Sequence, residues 1–403
     1  MAKRLREPII WDMQPLAPLR RSSHSDPRIV IAGGGVAALE TLLALRALAE
    51  DRVEIELLAP QPEFIYRPMV VAELFGMGEE HHFDLTRICE EQGAGLIQDG
   101  LASVEPARHL LHTSTGEQVE YDALVVARGA RPRDAVQGAV TFAGRRDVPA
   151  VREVLDSALD PHGGIDRIAF AAPGGLAWVL PLYELALMSR AELDAAGRGG
   201  VELVIASPED EPLGIFGELA SEAIAELMEE RRIELALQHY PTAYHDGGLE
   251  VVPHERIQAD AVIALPWLEG PYIEGLPCNG QGFIPADPHS AVAGVEDVYV
   301  AGDASNFPVK QGGLASQQAD AAAELIAARA GADLSPTPFR PMLRGVLLTG
   351  GTPTYLRAEI AGGSAVSSVS NSPLWWPPAK VAGRYLAPYL ALRPGLREGA
   401  PLV

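Results

Sequence analysis

Arg28-Ile29-Val30-Ile31-Ala32-Gly33-Gly34-Gly35-Val36-Ala37-Ala38-Leu39-Glu40 passes from a β-branched apolar run through three glycines into a segment whose Leu42, Leu43, Leu45 and Leu48 recur at helical spacing. The pattern predicts a strand, a tight turn and a helix. Gly33-x-Gly35-x-x-Ala38 is a dinucleotide fingerprint with alanine in third place. Gly33 permits the turn, Gly35 lacks the Cβ that would block a pyrophosphate, and Ala38 lets the helix lie close on the sheet. A pyrophosphate placed there meets free N–H groups and the positive end of the helix dipole. Alone, the motif does not decide the matter, because glycine-rich turns also serve packing.

The rest of the chain narrows the choice. At 403 residues it is too long for one core and suits two or three domains. Its 54 acidic residues outnumber 32 basic ones, a net charge of −22, which argues against a nucleic-acid partner. Cys89 and Cys278 form no CxxC pair, and none of the ten histidines falls in a metal-ligand spacing, so the sequence predicts no metal site and inert thiols in a reducing cytoplasm. No apolar run reaches membrane-spanning length, and residues 1–27 lack the apolar core of a secretion signal.

Following the chain, Arg52 to Leu58 reads as the second parallel strand of a βαβ unit. An acid commonly ends this strand and holds a ribose; here Ala59 and Pro60 stand in that place, leaving the task to Gln61 or a backbone group. Pro62–Pro68 reads as a loop at the carboxyl end of a strand. Asp84 caps a short helix. Gly95–Asp99, Leu101–Val104 and His109–Thr113 read as a β-meander with a turn at Gly116, closed by the buried run Tyr121–Val126. Arg167–Ala172 opens a second α/β unit, followed by Pro173-Gly174-Gly175-Leu176-Ala177-Trp178, a helix near Leu180–Ala191 and a strand Val201–Ala206. Pro173 and Trp178 occupy places where a nucleotide loop wants small residues, and Ser207 rather than an acid follows the next strand. This unit therefore reads as a nucleotide fold without nucleotide contacts. Val298–Ala304 is a buried strand ending in Gly302-Asp303, and Lys310 precedes a helix beginning near Leu314, a good place to hold an anion or carbonyl oxygen. The alternative for Lys310 is a solvated surface residue.

Three separated motifs, Gly33–Ala38, Tyr121–Gly129 and Val298–Ala304, together resemble the FAD-dependent pyridine nucleotide-disulfide oxidoreductase superfamily. Within it the chain is similar to the group of type II NADH dehydrogenases, sulfide:quinone oxidoreductases and flavocytochrome c sulfide dehydrogenases, over about residues 28–345. The resemblance implies an α/β fold with two Rossmann-like domains: an extension at 1–27, an FAD-binding domain at 28–160 and 261–340, a second dinucleotide-binding-like domain at 161–260, and a C-terminal interface or membrane-contact region at 341–403. It implies FAD as cofactor, with NAD(P)H as a further candidate. Gly33, Gly35 and Ala38 would hold the pyrophosphate, and Asp303, following Gly302, a ribityl hydroxyl. Lys310 would face the flavin C2 carbonyl and favour the reduced anion. Glu184 would lie near the isoalloxazine, and Gln317-Gln318 would line the quinone side.

Departures from the pattern matter too. Arg128 replaces the usual threonine of an Ala-Thr-Gly element. Gly175–Pro181 and Phe307–Gly313 lack the cysteines through which sulfide enzymes work, which disfavours sulfide oxidation by that route. The leading expectation is a FAD-dependent oxidoreductase passing electrons from a small donor to a quinone-like acceptor, with Glu184 and Lys310 flanking the flavin. The alternatives are NAD(P)H:quinone reduction and a non-catalytic flavoprotein acting as redox sensor or interaction module.

The charge is unevenly spread. From Arg340 onward seven basic residues face two acidic ones, +5 in an otherwise acidic chain. The segment 373–390 holds Trp375, Trp376, Tyr385 and Tyr389 among these bases. Such a composition suits a peripheral contact with the inner face of the cell membrane, and equally docking onto the chain's own flavin domain or onto a second copy in a homodimer.

Overall fold

The computed structural model describes residues 16–19, 26–78, 81–253, 255–360 and 367–393. Arg28–Ala32 lies at the centre of a five-stranded parallel sheet in the order Val298–Val300, Ala123–Val126, Arg28–Ala32, Glu54–Leu58, Gly95–Ile97. Val30 stands opposite both Leu124 and Glu56. Ile29–Ala32 and Ala123–Val126 are apolar on every residue because both faces are covered. Ile29 and Ile31 look toward the helices Val36–Ala49 and Gly312–Arg329, whereas Val30 and Ala32 look toward the antiparallel meander Leu101–Glu105, Leu110–Thr113, Gln118–Glu120. Alanines 315, 319, 322, 323 and 327 are buried in the same cluster as Leu39 and Leu42, so the two helices meet through small side chains.

A second parallel sheet runs Val140–Thr141, Ala261–Ala264, Arg167–Ala171, Glu202–Ser207, Ile233–Leu237. The helix Leu180–Ala195 covers one face, and the meander Tyr240–His245, Gly248–Val252, Glu255–Gln258 covers the other. A third, antiparallel sheet of Met342–Leu347, Thr354–Glu359 and Ser367–Ser370 buries Leu343, Leu347, Leu356 and Ala358 against this second unit.

Several expectations change. Gly95–Ile97 is the edge of the first parallel sheet rather than part of the meander, and Pro62–Pro68 contains a strand, Glu63–Tyr66, paired with His81–Asp84. Boundaries at 160 and 261 fall on the wrong side of two strands, because Val140–Thr141 and Ala261–Ala264 pair with each other inside the second sheet. Strand 261–264 is uniformly apolar, so composition could not assign it to one sheet or the other. Asp84 does cap the helix Leu85–Glu91, accepting from the Thr86 amide at 2.8 Å.

The tail docks onto the first unit. Ala379, Val381, Leu386, Ala387 and Leu390 join the core of the first sheet. The buried carboxylate of Glu40 accepts from the amides of Tyr385 (2.7 Å) and Leu386 (2.9 Å), and the Tyr66 hydroxyl accepts from Val381 N (3.1 Å). Three tail bases pair with acids elsewhere: Lys380 with Glu184, Arg384 with Glu324 and Arg393 with Glu91. This pairing accounts for part of the charge asymmetry. Trp376 remains 87% exposed. Among the described residues no helix is long and apolar enough to cross a membrane.

Candidate functional site

The turn after the first strand requires its glycines for different reasons. Gly33 has φ of +147°, and a Cβ there would lie 2.2 Å from the Ala127 carbonyl oxygen, so the turn closes only without a side chain. Gly35 has ordinary extended backbone (φ −99°), and a Cβ there would meet nothing within 4 Å. The space it leaves belongs to a cleft of about 670 Å³. Gly35 is also the N-cap of Val36–Ala49, with no side chain satisfying the first turn. Those amides are free to bind an anion. Ala38 is fully buried beneath them, where the helix rests on the sheet.

From this turn the cleft passes between the two parallel-sheet units. Ala59, Pro60, Gln61 and Glu63 line it beside the turn, together with Arg128, Gly302 and Asp303. Ala59 indeed stands where an acid was expected; Glu63 lies farther along, bonded to His82 at 2.9 Å. Arg128 donates to the Leu101 carbonyl at 2.5 Å, and burial and nearby Arg131 lower its pKa. Gly302, at φ +77°, is wedged between Ala37 and Ala315, with its amide held by the Gln318 side chain at 2.8 Å.

Farther along lie Lys310, Gln311, Arg344, Glu184 and Lys380. The Lys310 ammonium donates to the Ser305 carbonyl and sits 3.9 Å from the centre of the Phe283 ring. Burial pulls its pKa down to about 8, against an opposing pull from Asp303. Asp303 in turn is raised by burial and restrained by Lys310. Glu184, on the helix Leu180–Ala195, is held by Lys380 Nζ at 2.6 Å and by the Leu348 amide at 3.0 Å. Its side chain is 2% exposed and that of Lys380 is 8% exposed. Burial raises the Glu184 pKa, and Lys380 works against that rise. Five cations line the cleft against three carboxylates, in a chain whose net charge is −22.

The structure thus brings Gly33, Gly35, Arg128, Gly302, Asp303, Lys310 and Glu184 to one cleft. Gln317 does not line it. Its amide donates to the carbonyls of Gly313 and Met342 and accepts from the Met342 amide, each at 2.9 Å, joining helix to sheet. Gln318 is likewise spent on Gly302 and Ser305. Lys380 was read only as a tail base; its partner lies 196 residues away, and no local pattern could reveal that pairing.

The second unit's turn is built differently. Leu176 and Trp178 of Pro173–Trp178 face the first cleft and give it an apolar wall, with Trp178 packing 5.8 Å from the Phe216 ring. Two residues past Ser207, Glu209 supplies an acid that sequence reasoning missed. It accepts from the Tyr183 hydroxyl and the Ser207 hydroxyl, each at 2.8 Å, and burial raises its pKa.

The profile described as "Pyridine nucleotide-disulphide oxidoreductase" matches residues 27–324. The sulfide-quinone reductase of Aquifex aeolicus (strain VF5) is 26% identical over 268 residues, covering 61% of this chain and 59% of that protein. The crystal structure of the sulfide:quinone oxidoreductase from Aquifex aeolicus superposes with a TM-score of 0.77 at 17% identity, covering 86% of this chain and 87% of the other. NDH2 from Plasmodium falciparum superposes with a TM-score of 0.56 at 14% identity, covering 70% of this chain and 64% of the other. These structural likenesses speak for the fold. With the profile spanning most of the chain and the glycine turn, uncapped helix and basic cleft in place, the chain belongs to the pyridine nucleotide-disulphide oxidoreductase family.

Proposed function

We propose that the protein passes two electrons from a small donor through FAD to a quinone-like acceptor. The observation that carries this reading is the buried Glu184–Lys380 pair, which lines the same cleft as the pyrophosphate turn. Gly33, Gly35 and the first amides of Val36–Ala49 would hold the pyrophosphate, Asp303 a ribityl hydroxyl, and Lys310 the pyrimidine end of the flavin. Bound flavin supplies two-electron acceptance and onward transfer in one- or two-electron steps. The chain's own residues supply the rest. Reduction of a quinone consumes two protons, and Glu184 Oε1 with Lys380 Nζ forms a proton-holding pair shielded from bulk water. Leu176, Trp178 and Pro181 offer an apolar wall that suits an aromatic acceptor and excludes water. The same reading divides the chain by sheet: the FAD unit from about 28–135 and 270–335, the second unit from about 140–265.

The second reading, NAD(P)H as donor, is favoured by family membership and by the acid at Glu209. Against it, Tyr183 and Ser207 already occupy that carboxylate, and Trp178 stands in the turn. Anaerobic stopped-flow mixing separates the two. Photoreduced holoprotein should be reoxidised by a short-chain quinone, while NADH bleaches the flavin far more slowly than that. Reduced flavin inert toward quinones would sink the proposal, and bleaching by NADH as fast as reoxidation would establish the second reading.

A further inference from the structure

Three of the five cations in the cleft already have partners: Arg128 donates to Leu101 O, Lys310 to Ser305 O and Lys380 to Glu184. Arg67 makes no such bond among the described residues, but it is exposed. Arg344 differs. It lies partly buried in the cleft wall, and among the described residues its guanidinium makes no hydrogen bond or ion pair. Directly across the strand pair stands Arg357, a second cation, which is the arrangement a sheet avoids. A half-desolvated guanidinium facing another cation is costly unless an anion visits it.

Its position identifies that visitor. The Arg344 carbonyl accepts from the Gln311 side chain at 3.1 Å, next to Lys310, and four residues on the same chain run gives its Leu348 amide to Glu184. Arg344 therefore lies close to both groups expected to flank the flavin, Lys310 and Glu184. We infer that Arg344 anchors an oxyanion subsite at the reacting end of the cleft, and that the small donor received there carries a carboxylate or a similar planar oxyanion. This rests on the reading that places the flavin ring between Lys310 and Glu184. A guanidinium fork matches a carboxylate at two points, and Trp178 and Leu176 offer the donor's apolar part a surface.

The probe is benzoate, with benzamide as its neutral counterpart, titrated into the FAD-loaded protein while the visible flavin bands are followed. Benzoate should perturb the wild-type spectrum, and R344Q should weaken its binding about 10- to 100-fold at unchanged FAD content. Benzamide should bind both proteins alike. R344K, which keeps the charge but loses the fork, should fall between them, and it serves alone if R344Q does not fold. Equal benzoate affinity in wild type and variant overturns the inference, as does a wild-type spectrum indifferent to benzoate. Loss of FAD from R344Q also overturns it, by making Arg344 a cofactor ligand. Quinone reoxidation is measured separately, so its failure alongside intact anion binding would refute the proposed acceptor and leave the subsite standing.

Discussion

Replacing Lys380 with Met tests how the cleft is held together. In the wild type Glu184 Oε1 has two partners, Lys380 Nζ at 2.6 Å and the Leu348 amide at 3.0 Å, with both charged side chains almost wholly buried. Lys380→Met keeps the aliphatic stem and leaves a buried carboxylate with one backbone donor. Breaking a buried pair in this way costs about 3–5 kcal/mol. With about 2.1 cal/mol/K of unfolding entropy per residue over 403 residues, that corresponds to a fall in melting temperature of roughly 4–6 °C. The penalty must depend on pH. Without Lys380, burial holds the folded pKa of Glu184 above its unfolded value, so the folded state binds the extra proton. Stability from that proton is fully present below the unfolded pKa and is lost as pH rises through the folded one. Thermal melts followed by circular dichroism should therefore show a deficit at pH 8 that shrinks at pH 5, and Glu184→Gln added to Lys380→Met should recover much of it. A deficit equal at the two pH values, or absent at pH 8, would refute the claim that this pair is a desolvated charge contact.

The fingerprint glycines should separate fold from cofactor. Gly33→Ala forces a Cβ to 2.2 Å from a carbonyl oxygen and should yield little folded protein, whereas Gly35→Val should fold with an unchanged far-ultraviolet spectrum yet purify without its yellow colour. A Gly35→Val protein retaining full FAD absorbance would show that the pyrophosphate lies elsewhere. Lys310→Met should lower the flavin midpoint potential at pH 7 by roughly 20–65 mV, taking about 1–3 kcal/mol for a charge contact and 1.4 kcal/mol per 30 mV. Because burial pulls the Lys310 pKa down to about 8, dye-equilibration titrations should find the difference between the two proteins narrower at pH 9 than at pH 7. A difference constant from pH 7 to 9 would remove Lys310's charge as its cause.

The glycine turn and its flanking strands could be read from sequence because their causes are local: a β-branched run, residues without Cβ at fixed offsets, and leucines at helical spacing. That Lys310 and Asp303 line the cleft was legible for the same reason, each lying a few residues from a strand end. What escaped depends on chain segments far apart. The role of Lys380 needed its partner 196 residues away, and the tail's aromatic and basic composition described a surface seeker without saying which surface. Gln317 was misplaced because the resemblance supplied a residue type, whereas the direction of its amide is set by the strand that begins at Met342. Glu209 was passed over because it lies two positions beyond the end of its strand, a gap that only the loop geometry bridges.

Docking of the tail has a kinetic side. The cleft takes its first wall from Gly33 and its last from Lys380 and Val381, and Glu40 fixes the approach by gripping the amides of Tyr385 and Leu386. A ribosome adding roughly 5–20 residues per second has long since released the glycine turn when Val381 appears. Until then the cleft lacks that side, and Glu40 lacks its two backbone partners from the tail. A chain cut short before residue 380 would keep both parallel sheets in its sequence yet lack this wall of the cleft.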